Sequence, residues 1–271
     1  MTQHSSLRIK EDRFRAISAA LAGAPTVSLT ELADICGGVS LMTVRRDLSE
    51  MEAQGALRRV RGGAVRSGSA DPGYTQRAQE NLSSKTAIAR AAASLPRSGM
   101  TVFLDAGSTL SALARDLARR ASVENLRLRV VTPSVAITSA LSGTEGITLH
   151  QLGGEIDHTL MAVTGDMVLN QISEMNFDLF VMGATGADPV QGFTNSSPLG
   201  IALKRMVHER ASETWAVTDA SKWRRVDAYR VIEMGSATGW ICDADLTADE
   251  IQQVKSTGAE LRLVSRTEDE Q

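Results

Sequence analysis

From residue 81 onward, short apolar runs alternate with segments of helical periodicity, and this alternation restricts the fold more than any other feature of the chain. Runs such as Val102-Phe103-Leu104 and Leu179-Phe180-Val181-Met182 are typical of strands buried on both faces of a sheet. We predict strands at 101–106, 128–132, 147–152, 179–183, 214–218, 230–234, 240–242 and 261–264. Helices are predicted at 81–95, 109–120, 134–141, 163–175, 197–211 and 247–257. The sequence therefore predicts a doubly wound, mainly parallel α/β domain with helices on both faces.

Small and polar residues follow several of these strands, at the edge where such sheets bind ligands. The segments are Asp105-Ala106-Gly107-Ser108-Thr109, Gly153-Gly154, Gly183-Ala184-Thr185-Gly186-Ala187-Asp188 and Asp219-Ala220-Ser221-Lys222. Free N–H groups at a helix N-terminus favour an anion such as phosphate. Lys204 and Lys222 are candidates for additional positive charge. Each loop alone is more typical of a helix cap, but four at one edge predict a ligand pocket.

The distribution of charge indicates a second, smaller domain. The whole chain of 271 residues has a formal net charge of -3, whereas residues 1–66 carry +3 and the remainder -6. Such an asymmetry is typical of a nucleic-acid module joined to another domain. The Gly-, Ser- and Pro-containing stretch at 66–73 lacks apolar periodicity, as expected of a linker. We predict a first domain at 1–66, a linker at 67–74 and a second domain at 75–271.

The first domain has the pattern of three helices followed by a hairpin. Three sets of residues are predicted to face its core: Phe14, Ile17 and Leu21; Leu32, Ile35 and Cys36; and Leu41, Val44, Leu48 and Met51. Ser40 is a good N-cap for the third helix. Gly55 is predicted to end that helix, and a strand at 56–60 then leads through Gly62-Gly63 into Ala64-Val65. The pattern predicts a winged helix-turn-helix.

The exposed face of the third helix is predicted to enter the major groove of DNA. In that groove Arg can pair with guanine, and Thr can contact a thymine methyl group. The predicted DNA-binding residues are Ser40, Met42, Thr43, Arg45 and Arg46 on the helix, and Arg58, Arg59 and Arg61 on the wing, with Arg66 beyond. Arginines on a helix face alone could simply be solvated, but a capped helix followed by an arginine-rich hairpin favours DNA. Asp47 is expected to hold an arginine in place.

Other residue types suggest no further chemistry. Cys36 and Cys242 lie far apart without metal-ligand spacing, and the four histidines are dispersed outside the polar loops. We therefore expect no metal, no cofactor and no catalytic residues, and Cys36 is expected to be a small core residue. There is no apolar run of about 18 residues and no secretory h-region near the first residues, so we expect no membrane association and a reducing, cytoplasmic location.

The N-terminal motifs resemble those of one family of transcriptional regulators. Thr30-Glu31-Leu32-Ala33, Val39-Ser40-Leu41-Met42-Thr43-Val44-Arg45-Arg46-Asp47-Leu48 and Leu57-Arg58-Arg59-Val60-Arg61-Gly62-Gly63-Ala64 are similar to the winged helix-turn-helix of the DeoR family. The pattern Thr-Val-Arg-Arg-Asp-Leu is among the more specific features of that family.

The second domain resembles the DeoR sensor domain, which in turn resembles the fold of ribose-5-phosphate isomerase and glucosamine-6-phosphate deaminase. The similar segments are Lys85–Ala89, Phe103–Thr109, Val130–Thr132, Leu152–Gly154, Val181–Ala184, Ala202–Arg205 and Thr218–Lys222. The resemblance covers about residues 7–265. It implies a repressor that binds operator DNA as a homodimer or homotetramer and responds to a phosphorylated sugar or related metabolite. The implied effector-binding residues are Asp105, Gly107, Ser108, Thr109, Gly153, Gly154, Thr185, Lys204 and Lys222.

Three departures from the family pattern bear on this interpretation. An additional residue in Gly37-Gly38 precedes Val39-Ser40, Thr185 stands where the family usually has Asp, and Pro133 stands where it commonly has Asn. Two alternatives to a ligand-controlled regulator stay open from the residues. One is a sugar-phosphate isomerase or deaminase with an appended DNA-binding domain, which the loss of the carboxylate at Thr185 disfavours. The other is a DNA-binding protein whose second domain only oligomerises.

Overall fold

The computed structural model describes residues 3–23, 26–53, 57–60, 63–66, 73–243 and 246–265. The chain divides into two compact units, Met1–Asp71 and Pro72–Gln271. Most of the predicted linker, together with Gly55, Arg61 and Gly62, lies outside the described residues. Gly73 and Tyr74, predicted to end that linker, instead begin a helix.

The first unit contains three helices and a small antiparallel sheet. Its elements are α1 (Gln3–Gly23), β1 (Thr26–Ser28), α2 (Leu29–Ile35), α3 (Leu41–Ala53), β2 (Leu57–Val60) and β3 (Gly63–Arg66). The strand order is β1-β3-β2. Strand β1 was not predicted, because its three residues carry no alternation of their own and form a strand by pairing with β3, Val27 opposite Ala64. The predicted helices and hairpin are otherwise present.

Most of the predicted core of this unit is buried, including Ile17, Leu32, Val44 and Leu48. Two predictions are wrong: the side chains of Leu41 and Ile35 are 44% and 48% exposed. Leu41 is the first residue of α3 and lies at the border of the apolar stripe, since a helix turns by about 100° per residue. Ile35 is the last residue of α2. The side chains of both residues therefore lie at the ends of their helices, where they are exposed to solvent.

The second unit is built around a sheet of seven parallel strands. Its elements in chain order are α4 (Gly73–Gln79), α5 (Leu82–Ala92), β4 (Thr101–Leu104), α6 (Ser108–Glu124), β5 (Leu128–Thr132), α7 (Val135–Leu141), β6 (Ile147–Gln151), β7 (Glu155–Asp157), β8 (Ala162–Thr164), α8 (Asp166–Ile172), β9 (Phe177–Met182), β10 (Gly186–Asp188), β11 (Gly192–Asn195), α9 (Ile201–Glu209), β12 (Ala211–Val217), β13 (Tyr229–Ile232), β14 (Gly239–Asp243), α10 (Ala248–Ser256) and β15 (Glu260–Val264). The strand order in the large sheet is β15-β14-β12-β9-β4-β5-β6.

Successive residues of the central strands belong to opposite cores. Phe103 and Phe180 pack with residues of α8, α9 and α10, whereas Val102, Leu104 and Val181 pack with residues of α5, α6 and α7. Neighbouring side chains on a strand point to opposite faces, so both faces of the sheet are covered by helices. This is the predicted doubly wound architecture.

Two predicted elements differ from the structure. The strand expected at 230–234 is β13, which pairs antiparallel with β11 in a separate three-stranded sheet, β10-β11-β13. The helix expected at 163–175 begins only at Asp166, because residues 162–164 form β8 and pair with β7. Local periodicity does not reveal which distant segment a short strand joins. None of the described helices has the length and apolarity needed to cross a membrane.

Candidate functional site

The start of α3 is stabilised by the predicted cap. The backbone N–H of Thr43 donates to Ser40 Oγ over 3.1 Å, and the Ser40 and Thr43 hydroxyl oxygens lie 2.9 Å apart. These bonds satisfy a donor that the first turn of a helix otherwise leaves free. Ser40 and Thr43 thus fix where α3 begins.

One face of α3 is exposed and positively charged. Met42, Arg45 and Arg46 are exposed, and neither arginine forms an ion pair with any residue that the structure describes. The opposite side carries Asp47, whose buried carboxylate accepts from Arg13 Nε at 2.6 Å and Nη2 at 3.1 Å. This hydrogen bond to Asp47 raises the pKa of Arg13. The expectation that Asp47 holds an arginine is confirmed, and that arginine is Arg13.

Among the arginines predicted to bind DNA from the wing, Arg59 is the one whose side-chain contacts the structure describes. Arg59 Nε donates to Glu52 Oε2 over 2.7 Å, and the Arg59 backbone N–H donates to Glu52 Oε1 over 2.8 Å. Arg58 lies in β2 with its side chain outside the described part of the chain, and Arg61 lies outside it altogether. Arg59 is therefore held against the end of α3 by a contact that the sequence did not reveal.

At the carboxyl edge of the large sheet, two predicted loops and one helix meet around a buried ion pair. Asp105 follows β4, Gly183 follows β9, and Lys204 lies on α9. Lys204 Nζ is 2.8 Å from Asp105 Oδ2 and donates to the Gly183 carbonyl over 2.7 Å, while the Gly183 N–H donates to the same Asp105 oxygen over 3.0 Å. Both side chains are buried. The sequence suggested that the charge of Lys204 would be available to a ligand. In the structure this charge is compensated by Asp105.

The predicted anion-binding segment begins α6 beside this ion pair. Gly107 precedes the helix, Ser108 starts it, and Thr109 is buried in its first turn. The Gly107 carbonyl accepts from the Ser111 N–H and from Ser111 Oγ, at 2.9 and 3.0 Å. Tyr74 of α4 donates its hydroxyl to Ser111 Oγ over 3.0 Å. The loop after β4 is therefore connected to the first helix of the second unit, a contact that no sequence signal predicted.

Thr185 lies in a separate hydrogen-bonded group. Its hydroxyl donates to Asp227 Oδ2 over 2.6 Å and accepts from the Ser196 N–H over 3.0 Å. The next residue, Gly186, packs so closely that a Cβ there would overlap the Arg225 carbonyl oxygen. The position that lacks the family's carboxylate is thus in contact with a carboxylate from another loop, Asp227, which sequence reasoning missed.

The remaining predicted effector residues are spread along the edge. Gly153 is bound on both sides by the Gln171 carboxamide, which accepts from its N–H at 2.9 Å and donates to its carbonyl at 2.7 Å. Gly154 follows with a positive φ of 153°. Lys222 is partly exposed in a short 3-10 turn after β12. The structure brings Asp105 and Lys204 into contact, and these other groups lie on neighbouring loops.

Pro133 follows β5, and its backbone carbonyl accepts a hydrogen bond. The carbonyl accepts from the Val163 N–H at 2.9 Å, linking the end of β5 to β8. Ser134 then caps α7 by accepting from the Ile137 N–H. These hydrogen bonds use the Pro133 carbonyl and the Ser134 hydroxyl, and no atom of the Pro133 side chain.

Burial is the main cause of the shifted pKa values of two ionisable groups in the second unit, Lys85 and Cys242. Burial lowers the pKa of Lys85, whose ammonium group donates to the Arg77 and Glu80 carbonyls. Burial also raises the pKa of the Cys242 thiol. Cys36 is only partly buried. Within the described ranges, no group of three His, Cys, Asp or Glu side chains is arranged to hold a metal ion.

Comparison with protein families identifies both units. The DeoR C-terminal sensor domain matches residues 80–244, and the DeoR-like helix-turn-helix domain matches residues 13–70.

Among characterised relatives, the transcriptional repressor AccR of Agrobacterium fabrum is 33% identical over 69% of this chain and 72% of its own length. The L-fucose operon activator of Escherichia coli K12 is 30% identical over 76% of this chain and 84% of its own length. Among solved structures, ribose 5-phosphate isomerase A of Methanocaldococcus jannaschii is 21% identical, covers 51% of this chain and 53% of its own, and has a TM-score of 0.39.

Proposed function

The chain belongs to the DeoR family of transcriptional regulators, and on that premise we propose that it represses a carbohydrate operon and leaves its operator when a phosphorylated sugar or related metabolite binds the second unit. It is a DNA-binding regulator rather than an enzyme. We further propose that it binds DNA as a homodimer or homotetramer, because two-fold symmetry in the protein matches repeated half-sites in an operator.

The observation that carries the effector proposal is the buried contact between Asp105, Gly183 and Lys204. An ammonium group has three N–H donors, and the two described acceptors of Lys204 leave one donor for a ligand. The N-terminus of α6 adjoins this group and supplies backbone N–H donors with a favourable dipole. An anionic group of the effector would bind these donors, and a hydroxyl group would donate to Asp105.

The same loop offers a route from effector to DNA. The Gly107 carbonyl, Ser111 Oγ and the Tyr74 hydroxyl form a chain of hydrogen bonds from the start of α6 to α4. Helix α4 follows residues 67–72, which join the two units in sequence. A ligand that reorders the loop after β4 would therefore alter α4, and a coupling of about 1–3 kcal/mol changes DNA affinity roughly 5–150-fold.

A thermal-unfolding screen of the full chain tests the effector proposal. The panel contains sugar phosphates, each paired with the same sugar lacking phosphate. We expect at least one phosphorylated sugar to raise Tm, and its unphosphorylated partner to raise Tm less. At a ligand concentration of 100 times Kd, binding adds about 2.7 kcal/mol to the free energy of unfolding. A panel that leaves Tm unchanged at millimolar concentration would refute the proposal. An active compound must also release the chain from DNA in a gel shift.

The direction of regulation needs its own test, since the relatives include a named repressor and a named activator. Deleting the chain's gene and measuring transcript levels of adjacent genes distinguishes them. We expect those transcripts to rise.

A further inference from the structure

Within the described part of the first unit, the exposed large apolar side chains lie in the helix-turn-helix. Large hydrophobic residues that are exposed in the described part of this unit are Ile35, Leu41 and Met42. Met42 has the most exposed of these side chains, at 74%. A thioether side chain gains free energy when its apolar surface leaves water, so these residues have more to gain from a partner than the polar surface around them.

Met42 shares its face with the positive charges of α3. At about 100° per residue, Arg46 and Ser49 lie within roughly 40° of Met42 around the helix axis, and Val44 of the buried stripe lies on the opposite side. Leu41 precedes Met42 at the start of the helix. The first turn of α3 thus presents apolar surface directly beside Arg46, and recognition helices contact base edges mainly through their N-terminal residues.

We propose that Met42, flanked by Leu41, determines sequence specificity by packing on the C5-methyl group of a thymine in the operator. Neither phosphate nor the polar edges of the other three bases offers a comparable apolar group, whereas thymine presents a methyl group in the major groove. The exposed guanidinium groups of Arg45 and Arg46 make this face positively charged, and a positively charged face favours a polyanion such as DNA. The methionine side chain is unbranched and flexible, so it can fill the space beside a methyl group.

This inference goes beyond DNA binding by the family, because it assigns one kind of base to one side chain. It does not depend on the effector or on the direction of regulation. Arg46 would pair with a neighbouring base, so the apolar and polar contacts would read adjacent positions.

The test uses the full chain and replaces thymine by uracil, which removes the methyl group and keeps base pairing. A binding sequence is first selected from a random duplex library, and each thymine in it is then replaced in turn. We expect at least one replacement to weaken binding by the unaltered chain about fourfold, the effect of burying one methyl-sized group. The same replacement should leave the affinity of Met42→Ala unchanged.

Two further variants make the result specific. Ile35→Ala removes a similarly exposed apolar side chain from α2, and it should keep the full response to uracil. Met42→Leu keeps apolar volume and should keep part of the response, which guards against a folding defect in the alanine variant. Circular dichroism verifies that each variant is folded.

The possible outcomes distinguish failure of the Met42 proposal from failure of specific operator binding. The proposal is overturned if no uracil replacement weakens binding by the unaltered chain, or if Met42→Ala responds to uracil as strongly as the unaltered chain. Failure to select any preferred sequence would instead contradict specific operator binding and with it the proposed function.

Discussion

Lys204 of α9 and Asp105 after β4 form a buried ion pair, with Nζ 2.8 Å from Oδ2. The pair joins a helix on one face of the sheet to the carboxyl end of a central strand, and the Gly183 backbone completes it from the adjacent strand. A buried charge is tolerated when its partner and hydrogen bonds are in place. The arrangement therefore gives both charges a partner at the sheet edge where we propose that the effector binds.

Removing one partner of this pair should destabilise the chain strongly. We expect Lys204→Met to lower the free energy of unfolding by about 3–5 kcal/mol, because Asp105 would remain buried without its cation. Urea unfolding measures this. The double variant Lys204→Met with Asp105→Asn should recover much of the loss, since no charge would remain buried. A single variant that loses less than about 1 kcal/mol would show that the pair is solvated.

The ion pair of Arg13 and Asp47 should contribute more to the stability of the first unit than the nearby pair of Lys10 and Glu50. Asp47 is buried, whereas Lys10 and Glu50 form a partly exposed pair between the same two helices. We expect Asp47→Ala to destabilise the first unit by about 3 kcal/mol and Glu50→Ala by about 1 kcal/mol or less. Proteolysis of the first unit at increasing urea concentration measures both. Equal effects would contradict the difference in burial.

Arg46 and Arg59 should contribute to DNA binding in different ways. We expect Arg46→Ala to cost about 1–3 kcal/mol in specific affinity and to relax base preference. Arg59→Ala should instead lower the salt slope of binding by about one unit if Arg59 leaves Glu52 for a phosphate. Gel shifts at several salt concentrations, with selected and scrambled duplexes, distinguish the two. An Arg46→Ala variant that binds both duplexes like the unaltered chain would refute the assignment.

The close packing at Gly186 predicts sensitivity to a single methyl group. We expect Gly186→Ala to cost about 1–3 kcal/mol or more, since the added Cβ would overlap the Arg225 carbonyl and displace the loop that carries Thr185. Gly153→Ala is the matched control, because the nearest atom to its Cβ would be 3.8 Å away. Thermal unfolding compares them. A control that loses as much stability would contradict the argument.

His208 should make stability fall in mild acid. Burial lowers the pKa of His208 from its usual 6.5, and Nδ1 lies 2.9 Å from Thr214 Oγ1. The unfolded chain then binds the proton more readily, so the stability present above about pH 6.5 is lost as pH falls toward the lowered value. His208→Gln cannot titrate. We expect its Tm to fall less than that of the unaltered chain between about pH 7.5 and about pH 5.5, and parallel profiles would contradict the assignment.

Local pattern predicted most of the elements because burial sets the spacing of apolar residues. The seven strands of the large sheet and the amphipathic helices between them were found in this way, as were the cap at Ser40 and the exposed face of α3. The burial predicted for Leu41 and Ile35 is wrong because Leu41 begins α3 and Ile35 ends α2, and periodicity no longer implies packing at the ends of a helix. Strand β13 was detected, but its partner β11 could not be, since pairing depends on contacts between distant segments.

The candidate site also combines features that the sequence predicts with contacts that depend on the tertiary structure. The sequence by itself determined that Asp105, Lys204 and the polar loops would meet at one edge, because parallel strands share a direction and end together. Only the tertiary structure decided that Lys204 is neutralised by Asp105, that Thr185 contacts Asp227, and that Arg13 is the partner of Asp47. Those pairs join residues that are 99, 42 and 34 positions apart in the sequence. Periodicity reports which face of an element is buried, whereas a pairing between side chains depends on how separate elements come together in three dimensions.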